Sequence, residues 1–277
     1  MILLQGDCLE KMKDLSENSI DIVVADLPYG RFKHLDWDKT IDLEKMWREI
    51  WRVCKLTAPV FMFGDMKFGV ELINSCPKHF KYEIVWNKKV TSTPLLSKKR
   101  LGKATEYIFI FYKKQPVYNY LKYHKKIINP VQDERVKNND PSFYGKNTIM
   151  KGRKYQGKCG KQYEPKLPTN VFTNLVVGKD KMYHSSKKVY EPVLPINVIT
   201  ASAKRLKKVI KNITEKPQFI LEFLLKYFSN EGDTCLDITM GSGSCGVACK
   251  TLGREFVGIE LNEEHFNIAK TRLSNLI

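Results

Sequence analysis

Residues 234–260 constrain the fold more than any other stretch of the chain. Thr234-Cys235-Leu236-Asp237-Ile238-Thr239-Met240 has the apolar content of a buried strand, and Gly241-Ser242-Gly243-Ser244-Cys245-Gly246 interrupts it. A helical run follows at 247–252, and a second strand-like run at 255–260 ends in Glu260. Strand, Gly-x-Gly-x-x-Gly, helix, strand is the pattern of an α/β nucleotide-binding unit. The glycines let backbone approach a ligand closely, and the helix N-terminus attracts an anionic group. Glu260, 17 residues after Gly243, is spaced to accept hydrogen bonds from ribose hydroxyls. The same pattern suits a nicotinamide dinucleotide enzyme. Only about one strand and two helices follow the loop, however, and a dinucleotide domain needs a second half. The N-terminal strands are therefore expected to complete the sheet.

Residues 20–30 identify which of those strands matters. Ile22, Val23 and Val24 form a β-branched run that stops abruptly at Asp26-Leu27-Pro28-Tyr29-Gly30. This reads as a buried strand whose C-terminal end opens into a rigid turn. Ligands in open α/β sheets bind outside the carboxyl ends of strands. A carboxylate, a stiff backbone and a flat aromatic ring then stand where chemistry is expected. If the strand before Asp26 lies beside the strand before Asp237, the two turns share one cleft.

The remaining elements support an α/β sheet. Strands are expected at 2–4, 59–64, 80–86 and 107–112, and helices at 41–54 and 66–75. The 41–54 run places Leu43, Met46, Trp47, Ile50, Trp51 and Cys54 on one face. Gly6-Asp7-Cys8-Leu9 reads as a tight turn into a helix, and Asp7 alone reads equally well as that helix's cap. Helices are expected again at 219–228, where Pro217 suits the first turn, and at 263–276. No window of the 277 residues approaches the roughly 18 apolar residues of a membrane span. The N-terminus lacks the basic n-region of a secretory signal. Seven scattered Cys suggest small core residues in a reducing compartment, without a disulfide framework or a zinc site. Cytoplasm, or the DNA-containing compartment of a host cell, is the expected location.

The net charge of +17 is unevenly placed. Residues 81–210 hold 29 Lys and Arg against 8 Asp and Glu, whereas the remainder holds 18 against 22. A segregated excess of this kind favours a polyanion, most simply nucleic acid. From about 113 to 210 the regular alternation of elements is lost, with strand-like runs only at 171–177 and 196–199. Tyr118, Tyr120, Tyr123, Tyr144, Tyr155, Tyr163, Tyr183 and Tyr190 are interleaved there with Lys. Aromatics among cations suit phosphate contact with base stacking. The expected organisation is 1–112 and 211–277 as two halves of one domain, with 113–210 as a recognition insertion.

With these motifs in order, the chain resembles the amino-methylating DNA methyltransferases of the circularly permuted β group, especially phage-type members with Asp-Leu-Pro-Tyr. Asp26-Leu27-Pro28-Tyr29 matches the family's catalytic D-P-P-Y, with Leu in place of the first Pro. Asp237-Ile238-Thr239-Met240-Gly241-Ser242-Gly243-Ser244 matches the cofactor motif D-x-F-x-G-S-G. Gly6-Asp7-Cys8-Leu9 resembles the motif whose acid reads the cofactor adenine. Thr214-Glu215-Lys216-Pro217 resembles the T-x-K-P that contacts the methionine part, although Asn212-Ile213 replaces the usual His-Pro. The resemblance covers about 1–115 and 195–277. It implies a class I methyltransferase fold, a Rossmann-like, twisted, mostly parallel sheet of about seven strands with one antiparallel strand. It implies S-adenosylmethionine held by Asp7, Cys8, Lys216, Asp237, Met240, Gly241, Gly243 and Glu260, with Asp26, Leu27, Pro28 and Tyr29 catalytic and no metal. It also implies double-stranded DNA with a flipped base as substrate, and a homodimer among the open assemblies.

The chemistry fits these residue types. An exocyclic amine is a poor nucleophile because its lone pair is delocalised into the ring. Accepting its hydrogens, one on the Asp26 carboxylate and one on the Leu27 carbonyl, localises that pair. The second acceptor is backbone, so Leu can stand where the family has Pro, and Pro28 still restricts where that carbonyl points. Tyr29 can stack on a flipped base. The expected reaction is methylation of the 6-amino group of adenine in DNA, as in restriction–modification systems. The 4-amino group of cytosine and RNA adenine are the nearest alternatives. A nicotinamide oxidoreductase and a non-enzymatic nucleic-acid-binding protein are the readings from other classes. Trp37 and Asp38 either line the base pocket or belong to an ordinary loop, and His34 reads as exposed.

Overall fold

The computed structural model describes residues 1–30, 40–88, 99, 105–123, 125–126, 163–164, 198–200 and 215–275. The described residues fall into two compact units. The first holds those up to Asn119 and those from Val198 onward; the second holds the described residues of 120–164.

In the first unit β1 (Ile2–Gln5) leads into α1 (Cys8–Lys11), and β2 (Ile22–Ala25) is followed by α2 (Leu43–Val53). Then come β3 (Val60–Gly64), α3 (Met66–Ser75), β4 (Phe80–Asn87) and β5 (Thr105–Phe111). The second unit contributes α4 (Tyr120–Tyr123) and an antiparallel pair, β6 (Lys125–Lys126) with β7 (Tyr163–Glu164). The first unit resumes at β8 (Val198–Thr200) and continues through α5 (Gln218–Phe228), β9 (Thr234–Asp237), α6 (Ser244–Thr251), β10 (Glu255–Glu260) and α7 (Glu263–Ser274).

The sheet has eight strands among the described residues, one more than expected, in the order β1-β10-β9-β2-β3-β5-β4-β8. Every pairing is parallel except those of β5, which runs antiparallel to β3 and β4. The single antiparallel strand is therefore as expected, and β2 does lie beside β9, with Leu236 opposite Val23. Strands covered on both faces read as continuous apolar runs, and all residues of β2 and β3 are buried. Val23, Ala25, Val60 and Met62 join one core with Met46, Ile50 and Val53 of α2. On the opposite face Phe61 meets Phe228 of α5, with ring centres 5.0 Å apart. No helix among the described residues is long and apolar enough to cross a membrane.

Local chemistry sets the boundaries where they differ from the sequence reading. The expected helix 41–54 begins at Leu43 because Asp42 caps it, accepting the Lys45 N–H at 3.1 Å. The strand expected to run to Met240 stops at Asp237, whose carboxylate folds back onto the Thr239 N–H at 3.1 Å. The helix expected from 247 starts at Ser244, because Gly243 (φ +81°) takes the left-handed conformation and becomes its N-cap. Pro217 is the N-cap of α5 rather than part of its first turn. Tyr118 does not behave as a nucleic-acid contact: its ring packs on Phe228 at 5.5 Å and Tyr227 at 6.0 Å. The expected strand at 171–177, the residues His34, Trp37, Asp38, Asn212, Ile213 and Thr214, and Tyr144, Tyr155, Tyr183 and Tyr190 lie outside the described residues.

Candidate active site

The polar residues of the first unit gather at one edge of the sheet, and the topology explains why. Parallel strands deliver their C-terminal residues to a common edge. Between β9 and β2 the chain reverses direction across the sheet: α6 leaves β9 on one face and α2 leaves β2 on the other. That is a topological switch point, where open α/β sheets form their ligand crevice. Asp26, just past β2, and Asp237, at the end of β9, flank it. The Thr239 hydroxyl donates to the Asp26 main-chain oxygen at 3.0 Å, tying the two turns together.

Each oxygen of the Asp26 carboxylate has a partner among its neighbours. Its Oδ1 accepts the Tyr29 hydroxyl at 2.9 Å, and its Oδ2 accepts Lys216 Nζ at 2.6 Å. The Asp26 side chain is 29% exposed and that of Lys216 only 12%, so this ion pair is largely screened from water. Lys216 therefore does not project into solvent as a helix-start residue would; its ammonium lies 5.4 Å above the ring of buried Phe63. Burial alone would push the Lys216 ammonium down, but Asp26 and then Glu106 hold it above the usual lysine range. Glu106 is a site residue that sequence reasoning missed. Because β5 is antiparallel, its beginning rather than its end reaches the cleft edge, and Glu106 Oε2 lies 3.9 Å from Lys216 Nζ. Glu106 Oε1 is paired with Lys88 at the end of β4. Tyr29 also packs against Phe68 of α3, ring centres 4.9 Å apart, while Leu27 is buried in the core and Pro28 is partly exposed.

Glu215 performs the corresponding task for the glycine turn. Its Oε1 accepts the Ser244 hydroxyl at 2.7 Å and Arg272 of α7 at 2.6 Å. Two adjacent residues thus link the two turns, Glu215 holding the glycine turn and Lys216 holding Asp26.

The glycine turn is built to leave space. Gly241 has φ +52°, and a Cβ placed there would meet nothing within 4 Å. Its N–H donates to Glu260 Oε2 at 2.8 Å, while Glu260 Oε1 accepts the Asn262 N–H at 2.8 Å. A carboxylate has about four lone-pair sites, so Glu260 keeps acceptor capacity. Met240 pins the turn to β10: its N–H donates to Ile259 O, its own oxygen accepts Gly243 N–H, both at 2.9 Å, and its sulfur fills the space a Gly258 side chain would occupy. Gly6 N–H donates to Glu260 O at 2.9 Å, which brings the β1–α1 turn to the same edge. Asp7 there caps α1, accepting the Leu9 N–H at 2.7 Å. Cys8, by contrast, is buried in the core cluster, and burial pushes its thiol up to about 12.

Asp237 is buried, and its carboxyl lies well above the ordinary carboxylate range, first through burial and then through Cys245, with Asp26 and Glu260 adding to the effect. Glu260, whose carboxylate is held by two main-chain N–H groups, favours a cationic ligand at this edge. The linkage has a definite sign: the folded protein keeps a proton on Asp237 that the unfolded chain releases. Between the ordinary carboxylate range and the raised value, stability therefore falls as pH rises. Asp237→Asn is expected to remove that part of the slope and to raise the urea midpoint of the ligand-free protein at neutral pH. Urea titrations of both proteins across the pH range check it; parallel slopes would count against a buried protonated Asp237.

Cys235, Cys245 and Cys249 form a buried group with sulfurs within 4.8 Å of one another, directly behind the glycine turn. Their scattered positions in the chain gave no sign of this.

A family model described as DNA methylase matches residues 20–271. Type II methyltransferase M.HpaI of Haemophilus parainfluenzae is 24% identical over 99% of this chain and 74% of its own length. DNA adenine methyltransferase YhdJ of Escherichia coli K12 is 23% identical over 98% of this chain and 82% of its own. Among solved structures, the M1.HpyAVI–SAM complex superposes with a TM-score of 0.59 at 20% identity, over 98% of this chain and 99% of that one. The cytosine-N4-specific PvuII DNA methyltransferase reaches the same TM-score at 14% identity, over 99% and 87%. The sheet just described is thus a class I methyltransferase fold, and the chain belongs to the DNA methylase family.

Proposed function

We propose that this protein transfers a methyl group from S-adenosylmethionine to the 6-amino group of adenine in DNA. The observation that carries the reading is the meeting of the Asp26 turn and the glycine turn at one switch point, joined through Thr239. When bound, S-adenosylmethionine supplies an electrophilic methyl on a sulfonium centre. The residues present suit such a group. Gly241 leaves open space above the turn, and Glu260 offers a carboxylate toward a cationic ligand and capacity for ribose hydroxyls. Asp7 and the main chain of Cys8 and Met240 are read as the adenine end of the site, and Gly243 as the start of the helix beneath it. In the chemical step Asp26 accepts one amine hydrogen and the Leu27 carbonyl the other. The protein's task is to hold amine and methyl in line and to stabilise the charge that develops on the amine.

Adenine is favoured by an Asp, not a Ser, at position 26, and by the relative whose name specifies adenine. The 4-amino group of cytosine is the second reading, supported by the likeness to the cytosine-N4-specific PvuII enzyme. DNA as the partner follows from the family and from the basic excess of 81–210, most of which lies in 113–210, read as the recognition insertion between the two halves of a permuted domain.

Calorimetry should detect S-adenosylhomocysteine binding and no NAD binding. Incubation of DNA with labelled S-adenosylmethionine, followed by digestion to nucleosides, should then place the label on adenine. Label on cytosine would select the second reading, and NAD binding without S-adenosylhomocysteine binding would end both.

A further inference from the structure

Lys216 stands between two carboxylates that it does not share equally. Its ammonium is 2.6 Å from Asp26 Oδ2 and 3.9 Å from Glu106 Oε2. Glu106 Oε2 is buried and makes no hydrogen bond, although the other oxygen of the same carboxylate is paired with Lys88. A buried acceptor without a donor is costly, and here the Lys216 ammonium is roughly 1 Å beyond the usual charge-assisted distance. The main chain on either side of Lys216 is held, by Glu215 on Ser244 and Arg272 and by Pro217 at the cap of α5. Only the flexible Lys216 side chain needs to move to close that gap.

We propose that Glu106 is a positioning residue, which takes the Lys216 ammonium from Asp26 when an exocyclic amine enters the site. The inference rests on the reading of Asp26 as the amine's acceptor. While Lys216 sits on Oδ2 and Tyr29 on Oδ1, the Asp26 carboxylate is charge-neutralised and weak toward a further N–H. An amine hydrogen competes poorly with an ammonium for the same oxygen. Handing the ammonium to Glu106 conserves the number of ion pairs, satisfies the orphan oxygen, and frees Asp26 at the moment it must draw on the amine. No proton changes owner, so the step is a movement of one side chain between two acceptors. The ligand-free arrangement is then a resting lock on Asp26, with its release position already built into the start of β5.

The test is Glu106→Gln, which keeps the shape but removes the charge that would receive the ammonium. Single-turnover methyl transfer is expected to fall about 10²-fold, as for a misplaced catalytic group. S-adenosylhomocysteine affinity by calorimetry should stay near wild type, the thermal midpoint should fall modestly because Lys88 loses its charged partner, and Glu106→Asp should recover part of the rate. Because Glu106 acts through Lys216, the Glu106→Gln penalty should vanish when added to Lys216→Met. A wild-type rate in Glu106→Gln overturns the proposal, as does a penalty that persists in the Lys216→Met background. So does a defect confined to cofactor-product affinity or stability. Asp26→Asn keeps an acceptor oxygen, so Asp26→Ala, measured alongside, separates the two levels. If Asp26→Ala transfers methyl normally, the reading of Asp26 fails; if it is impaired while Glu106→Gln is not, only the handover fails.

Discussion

Asp26→Ala should lower single-turnover methyl transfer by roughly 10²–10³-fold or more, the scale of losing one preorganised electrostatic contact at a reacting centre. The loss should fall on the rate rather than on S-adenosylhomocysteine affinity, because Asp26 is needed most while the amine is attacking. The structure adds a complication that the motif alone does not contain. Removing the carboxylate also strands Lys216, which is only 12% exposed and would be left facing Glu106 alone. A modest stability change is expected with the rate loss, and Asp26→Asn, which retains an acceptor oxygen, should be the milder variant in stability. Tyr29→Phe removes the hydroxyl held by Asp26 at 2.9 Å but keeps the ring; Tyr29→Ala removes both. Base stacking is worth about 1–3 kcal/mol by alanine substitution, so the Ala variant should lose substantially more than the Phe variant. Equal losses would assign Tyr29's value to its bond with Asp26. If Asp26→Ala transferred methyl at the wild-type rate, Asp26 would be a turn residue held by Lys216 and Tyr29, and the catalytic assignment would fail.

The parts of this site legible in the sequence share a property: each is local. The apolar run into Asp26, the glycines at 241 and 243, and the acid ending β10 declare themselves by near-neighbour pattern. What the sequence did not reveal is non-local. Lys216 and Asp26 are 190 positions apart, and a lysine before a Pro-capped helix looks exposed until tertiary packing covers it. Glu106 was missed for a different reason. A hydrophobic run announces a strand but not its direction, and only in an antiparallel strand does the residue before the run reach the cleft edge. Tyr118 was grouped with the Lys-interleaved tyrosines of 113–210, and that pattern gave no sign that its ring packs with Tyr227 and Phe228. The three clustered cysteines follow the same rule: β9 and α6 meet only once the glycine turn has folded.

DNA affinity should fall steeply with salt, and the cleft itself explains why the phosphates must be held elsewhere. Asp7, Asp26, Asp237 and Glu260 stand along the edge where the two turns meet, and Asp26 and Glu260 add to the burial that raises the Asp237 carboxyl. A polyanion gains little there, whereas a cationic cofactor suits it. The 29 basic residues of 81–210 are the counterweight, against 8 acidic ones. Each phosphate neutralised contributes a slope of about −0.9 in log affinity against log salt for duplex DNA, so 6–10 contacts would cost about 10³–10⁵ in affinity between about 50 and 200 mM. Replacing Lys151, Arg153 and Lys154 together by Ala should weaken binding and make the slope shallower by up to about three contacts' worth, ~2.7. S-adenosylhomocysteine affinity should be unchanged in that variant, because the cofactor's expected contacts lie in the other two segments. Fluorescence anisotropy with duplex DNA over a salt series measures both quantities. A salt-independent affinity would remove 113–210 as the phosphate-binding segment. A triple variant with the wild-type slope would instead move the contacts to other cations within it.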